Sequence, residues 1–133
     1  MNRVKREDLI RELSKEYLMS ETLAQWVLVE HERKNISDLI NEMGYKTIGI
    51  YGYGYLGKLL NKVVDPDKVN VVCIIDRQFN DGNGFYLSLK QELPYTDVII
   101  VTSPYYYEEI RKDIKAKYPE KEVRSIDEFL FQL

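Results

Sequence analysis

The chain has 133 residues, 44% of them hydrophobic, and a formal net charge of −3. That length supports one compact domain with at most a small appendage, and the apolar share is enough for a core. No basic tract marks a nucleic-acid surface, no uncharged apolar stretch is long enough for a bilayer, and the N-terminus lacks a signal-peptide pattern. Neither nucleic acid nor a membrane is therefore expected as a partner, and a cytoplasmic location is expected.

Residues 1–43 read as a helical extension and residues 44–133 as an α/β unit. Leu9, Ile10, Leu13, Tyr17 and Leu18 recur at helical spacing. Ser20 is placed to cap a second helix carrying Leu23, Trp26, Val27 and Glu30, and Ser37 to cap a third through Leu39, Ile40 and Met43, ended by Gly44. The result would be a helical hairpin packed on the domain or on a second copy of it. The charged run from Glu30 to Lys34 reads as a solvated face. The extension carries more apolar groups than one stripe of a surface helix holds, so a homodimer through the N-terminal helices is expected.

From Lys46 onward strand and helix patterns alternate. Thr47–Tyr51 reads as a strand, 55–64 as a helix stopped by Asp65-Pro66, and 69–75 as a second strand. A polar loop over 77–84 follows, with Asp81-Gly82-Asn83-Gly84 as turn formers. Then come a short strand at 85–87, a helical turn at 88–93 and a strand at 97–102. Ser103-Pro104 reads as the cap and first residue of a helix reaching Tyr118, stopped by Pro119. A strand at 123–126 and a helical turn at 127–131 close the chain. This order predicts a Rossmann-like α/β fold, a parallel sheet in the order 3-2-1-4-5 with an N-terminal helical extension.

Gly52, Gly54 and Gly57 have the G-x-G-x-x-G spacing at the end of the first strand, and Asp76 ends the second, 24 residues after Gly52. This is the arrangement of a dinucleotide site. Gly52 permits a sharp turn, Gly54 lets a pyrophosphate approach the backbone, and Gly57 lets the helix sit close to the strand. Tyr55 and Leu56 begin that helix and present its unpaired N–H groups and positive dipole end. Asp76 would accept from ribose hydroxyls and repel a 2′-phosphate, while Arg77 would stack on a base or meet a phosphate. Thr102 and Ser103 end the fourth strand at the topological switch point and would line the same crevice. Of Tyr105, Tyr106 and Tyr107, one should point inward and the others are free to stack on a ligand or partner.

Other patterns carry less. Tyr86 and Lys90 have a dehydrogenase-like Tyr-x-x-x-Lys spacing but fall on a strand and a turn, not on one helix face. Cys73 is the only cysteine and lies within an apolar strand; it reads as an inert core residue. His31 is the only histidine, so neither a metal site nor a Ser-His triad is expected, and no catalytic residue is assigned.

The sequence resembles short Rossmann-like proteins and domains of bacterial capsule and polysaccharide gene clusters. The resemblance covers about residues 20 to 133. It rests on Trp26, on the run from Gly44 to Lys58, on Ile75-Asp76-Arg77, on Asp97 to Thr102 and on Ser125 to Leu130. A similar glycine loop opens the N-terminal domain of certain sugar acyltransferases, where it serves a nucleotide-sugar. The resemblance implies that Gly52, Gly54, Gly57 and Asp76 bind a nucleotide-sugar, beside the NAD expected from the motif. It also implies a role in cell-surface sugar biosynthesis, with a transferase as a possible partner. Three functions stay open at this point: a binding module without chemistry of its own, a subunit of a nucleotide-sugar dehydrogenase or epimerase completed by a partner, and a structural dimerisation module with an empty crevice.

Overall fold

Apolar runs bounded by turn residues become five parallel strands in a computed structural model describing residues 3–77 and 84–132. In chain order the elements are α1 (Arg3–His31), α2 (Ile36–Glu42), β1 (Thr47–Tyr51), α3 (Tyr55–Val63), β2 (Asn70–Ile75), β3 (Tyr86–Leu87), β4 (Val98–Val101), α4 (Tyr107–Lys117), β5 (Val123–Ser125) and α5 (Ile126–Leu130). The sheet order is β3-β2-β1-β4-β5, and every pairing is parallel, as the strand and helix alternation predicts. Asp81, Gly82 and Asn83 lie outside the described residues.

Strand residues alternate between two cores, because successive side chains point to opposite faces. Ile48, Ile50, Ile74, Val98 and Ile100 face one side, with residues of α1, α2, α3 and α5. Tyr51, Cys73, Ile75, Ile99 and Val101 face the other, under Ile110 and Ile114 of α4. The central strands are covered on both faces, which is why they read as continuous apolar runs rather than alternating ones.

The extension departs from the expected hairpin. α1 is one continuous helix of 29 residues that passes through Ser20 without a break. No glycine or proline interrupts it, and Met19, Thr22, Trp26 and Val29 keep one helical phase across Ser20. Trp26 and Val29 share the core cluster of the sheet, so the C-terminal half of the extension is built into the domain. α2 is capped by Asn35, whose side chain accepts from the Asp38 N–H at 2.9 Å. Ser37, the expected cap, instead accepts from the Asp65 N–H at 2.9 Å and ties α2 to the turn after α3. Gly44 follows α2 at φ +88°, as a helix-ending glycine should. α4 starts at Tyr107, later than Ser103-Pro104 implies, because 104–106 form a turn first. Residues 88–93 contain only a turn at Leu89 and Lys90.

Asp97 pins the start of β1 to β4. Its Oδ2 accepts from the N–H groups of Lys46 at 2.8 Å and Thr47 at 3.0 Å. Those backbone donors, with the Tyr95 hydroxyl, hold its carboxyl below the ordinary carboxylate range. A depressed pKa contributes stability that is present above the unfolded value and is lost as pH falls through the folded one. Asp97→Asn should therefore be less stable than the parent at neutral pH, and the two should converge as pH falls below the ordinary carboxylate range. Urea titrations across that range check this; a gap that does not change with pH would contradict it.

Candidate functional site

β1 and β4 are sheet neighbours whose following helices lie on opposite faces, so a crevice opens at their C-terminal ends. It has two lobes of about 340 and 310 Å³ that share Gly52, Asp76, Ser103 and Tyr106. The first lobe adds Tyr51, Arg77, Glu109 and Ile110. The second adds Gly54, Tyr55, Leu56, Gly57 and Thr102, with Pro104 and Tyr105 from the turn before α4, and Lys15 and Met19 from α1. All nine residues expected at a binding site thus line one connected crevice.

The three glycines do different work. Gly52 has φ +100°, a left-handed conformation that favours glycine, and its N–H donates to the Ile75 carbonyl at 2.8 Å. Gly57 is required by packing, since a Cβ there would collide with the Gly52 carbonyl oxygen. Gly54 is required by neither. Its φ of −81° suits any residue, and a Cβ would meet nothing within 4 Å. It occupies the N-cap of α3 without making a side-chain cap bond. The first N–H groups of α3 have no acceptor within the helix, and the residues that carry them, Tyr55, Leu56 and Gly57, line the second lobe.

Two expected ligand contacts also have structural duties. Asp76 Oδ2 accepts from the Tyr53 N–H at 2.9 Å, so this acid braces the glycine loop as well as lining both lobes. Thr102 Oγ1 lies 3.0 Å from the carbonyls of both Tyr51 and Gly52 and donates to them, clamping the turn out of β1. Ser103 lines both lobes.

Of the tyrosine triplet, Tyr107 donates to the Val123 carbonyl at 3.2 Å, Tyr106 packs edge-on to Tyr105 at 4.8 Å, and Tyr105 is the most exposed. Burial holds the Tyr51 phenol above its ordinary pKa, with Arg77 opposing that shift. Cys73 is buried and its thiol is pushed up to about 11, so it stays protonated and inert near neutral pH. His31 is exposed at the end of α1. Among the described residues no cluster of three or more His, Cys, Asp or Glu could hold a metal ion. No helix there is long and apolar enough to cross a membrane.

Lys15 and Met19 carry no local sequence signal for a site. They reach the crevice because α1 is continuous and crosses above it. The Lys15 Nζ lies 5.1 Å from the centre of the Tyr106 ring and 3.3 Å from Glu12 Oε1, and the Glu12 contact is the main cause of its raised pKa. The second lobe therefore combines backbone donors, a helix N-terminus and an ammonium group. Such a set is suited to an anion.

No curated protein and no solved structure matches this chain. A protein family described as C2185-like, N-terminal, does match, over residues 43–124, a stretch that begins at the end of the helical extension and takes in all five strands but the end of the last. By that match, which spans more than half of its length, the chain belongs to the C2185-like N-terminal family.

Proposed function

We propose that this crevice binds a ribonucleoside diphosphate moiety, carried either by NAD(H) or by a nucleotide-sugar. The observation that carries the reading is Gly54. The protein's own packing and backbone leave room for a side chain there, and a capping residue would stabilise α3 better. A diphosphate seated on the α3 N-terminus gives the missing side chain a reason. Its ribose would then lie towards Asp76 and Arg77 in the first lobe. The reading assigns no reaction to this chain. The sequence resemblance adds the proposal that the bound nucleotide serves cell-surface sugar biosynthesis, with any chemistry done by a partner enzyme.

Thermal shift and calorimetry with NAD, NADP, a UDP-sugar and coenzyme A test this. One of the first three should raise the melting temperature. Comparing NAD with the UDP-sugar separates the two sources of the diphosphate. NADP binding tighter than NAD would mean that Arg77 rather than Asp76 governs the ribose. Gly54→Val should weaken the bound nucleotide at least ~100-fold, or ~2.7 kcal/mol. Its fold should lose only about 1 kcal/mol, because the side chain enters open space. No stabilisation by any nucleotide, or unchanged affinity in folded Gly54→Val, would overturn the reading.

A further inference from the structure

We infer that α1 pairs with α1 of a second copy, antiparallel, through the face opposite the one it lays on its own domain. This inference is independent of what the crevice binds. The inward face of α1 is Met19, Thr22, Trp26 and Val29. On the far side Ile10, Leu13, Tyr17, Ser20, Ala24 and Val27 follow one another at alternating spacings of three and four, and all are exposed. That is the a/d seam of a two-helix coiled coil, sustained over more than two heptads. Its large members are wide open to solvent, Tyr17 at 68% and Val27 at 62% exposed, and Leu9 and Leu28 flank the seam at 47% and 54%.

The seam complements itself in only one direction. An antiparallel two-fold axis between Leu18 and Met19 sets Leu13 opposite Ala24, Tyr17 opposite Ser20 and Ile10 opposite Val27. Each of the larger side chains then meets a smaller one, as interdigitating layers require. A parallel pair would stack Tyr17 on Tyr17 and leave Ser20 and Ala24 facing themselves. It would also bring Glu16 of one copy against Glu21 of the other, a like-charge flank. Charge favours the same antiparallel choice. Residues 5–11 hold three basic and two acidic side chains, whereas residues 26–32, their counterparts in this register, hold two acidic and no Lys or Arg. The antiparallel pair lays the first segment against the second and brings Arg6 near Glu30. The contact is isologous and closed, the commonest form of oligomer, and it leaves the Lys15 and Met19 side of each α1 to its own crevice.

Light scattering after size exclusion, on the full chain at tens of micromolar, should give twice the 15.8 kDa of one chain. Leu13→Glu and Tyr17→Glu alter exposed positions, so each should stay folded by circular dichroism and run as a monomer. The direction is read by mild oxidation, with buried Cys73 out of reach. Leu13→Cys combined with Ala24→Cys should crosslink two chains, and Ala24→Cys alone should not. A monomer in the parent protein, a dimer that survives both glutamates, or a crosslink in Ala24→Cys alone would each overturn the inference.

Discussion

Gly57→Ala should lose about 4 kcal/mol or more, or fail to fold, although local propensity points the other way. Gly57 sits in the first turn of α3, where alanine is the better helix former by about 1 kcal/mol. The contact decides the sign. The added methyl would overlap the Gly52 carbonyl oxygen, approach the Gly52 carbonyl carbon to 2.9 Å and lie 3.1 Å from Thr102 Oγ1. None of these atoms can give way cheaply. Gly52 is fixed by its bond to the Ile75 carbonyl and by its left-handed φ, and the Thr102 hydroxyl is committed to two backbone carbonyls. Relief requires α3 to move off β1, which opens the core around buried Leu56 and Leu60. Gly54→Ala, only three residues away along the chain, should change stability by no more than about 1 kcal/mol. Urea denaturation of the pair measures the contrast. A Gly57→Ala protein as stable as its parent would mean that strand and helix are not apposed at the glycine turn.

The same contrast shows what the sequence can and cannot disclose. Gly52, Gly54 and Gly57 are identical in the sequence, and their spacing is enough to locate the turn. Only the coordinates separate the glycine needed for φ, the glycine needed for packing and the one the protein's own contacts leave unexplained. The strands were legible because central parallel strands are buried on both faces and read as apolar runs between turn residues. The capping box of α5, Ser125 with Glu128, is a local pattern of the same readable kind. Asn35 with Asp38 three residues later was also there to be read, and it outranks Ser37 once the spacing is weighed.

The continuity of α1 was harder to see. Apolar residues lie on two faces of the helix, and overlaid stripes blur a single period into what looks like two helices. Lys15 and Met19 could not have been found locally, because a long helix crossing above a crevice is a tertiary fact. Asp76 and Thr102 line the crevice at the strand ends where the sequence pattern puts them, yet their bonds to the Tyr53 N–H and to the carbonyls of β1 and Gly52 depend on loop geometry that no spacing rule contains.

Trp26→Ala should cost roughly 3–5 kcal/mol, the range for emptying a large aromatic site in a core. Trp26 is 3% exposed and packs in the cluster that also contains Ile36, Ile48 and Phe129. It is the largest side chain that α1 contributes to the core, and what else holds the helix there is modest. Thr22 Oγ1 donates to Asp127 Oδ1 at 2.7 Å, and Gln25 Nε2 donates to the Leu130 carbonyl at 3.0 Å. Burial raises the Asp127 carboxyl's pKa, and the bond from Thr22 opposes that shift. Hydrogen bonds of this kind contribute about 1 kcal/mol each, or up to about 3 where one partner is charged. The indole must therefore supply much of the attachment, and its loss should lower the melting temperature by on the order of 10–20 °C. Hydrogen exchange should show the amides of 22–29 opening together rather than one at a time, since they share one apolar face centred on Trp26. A loss below about 1 kcal/mol would mean that the cavity collapses around the alanine or that α1 is held chiefly from its other face. Repeating the measurement in the Tyr17→Glu background separates these outcomes. Support from a second copy would disappear in that background and the full cost of Trp26→Ala would return, whereas a collapsed cavity would leave the cost small in both.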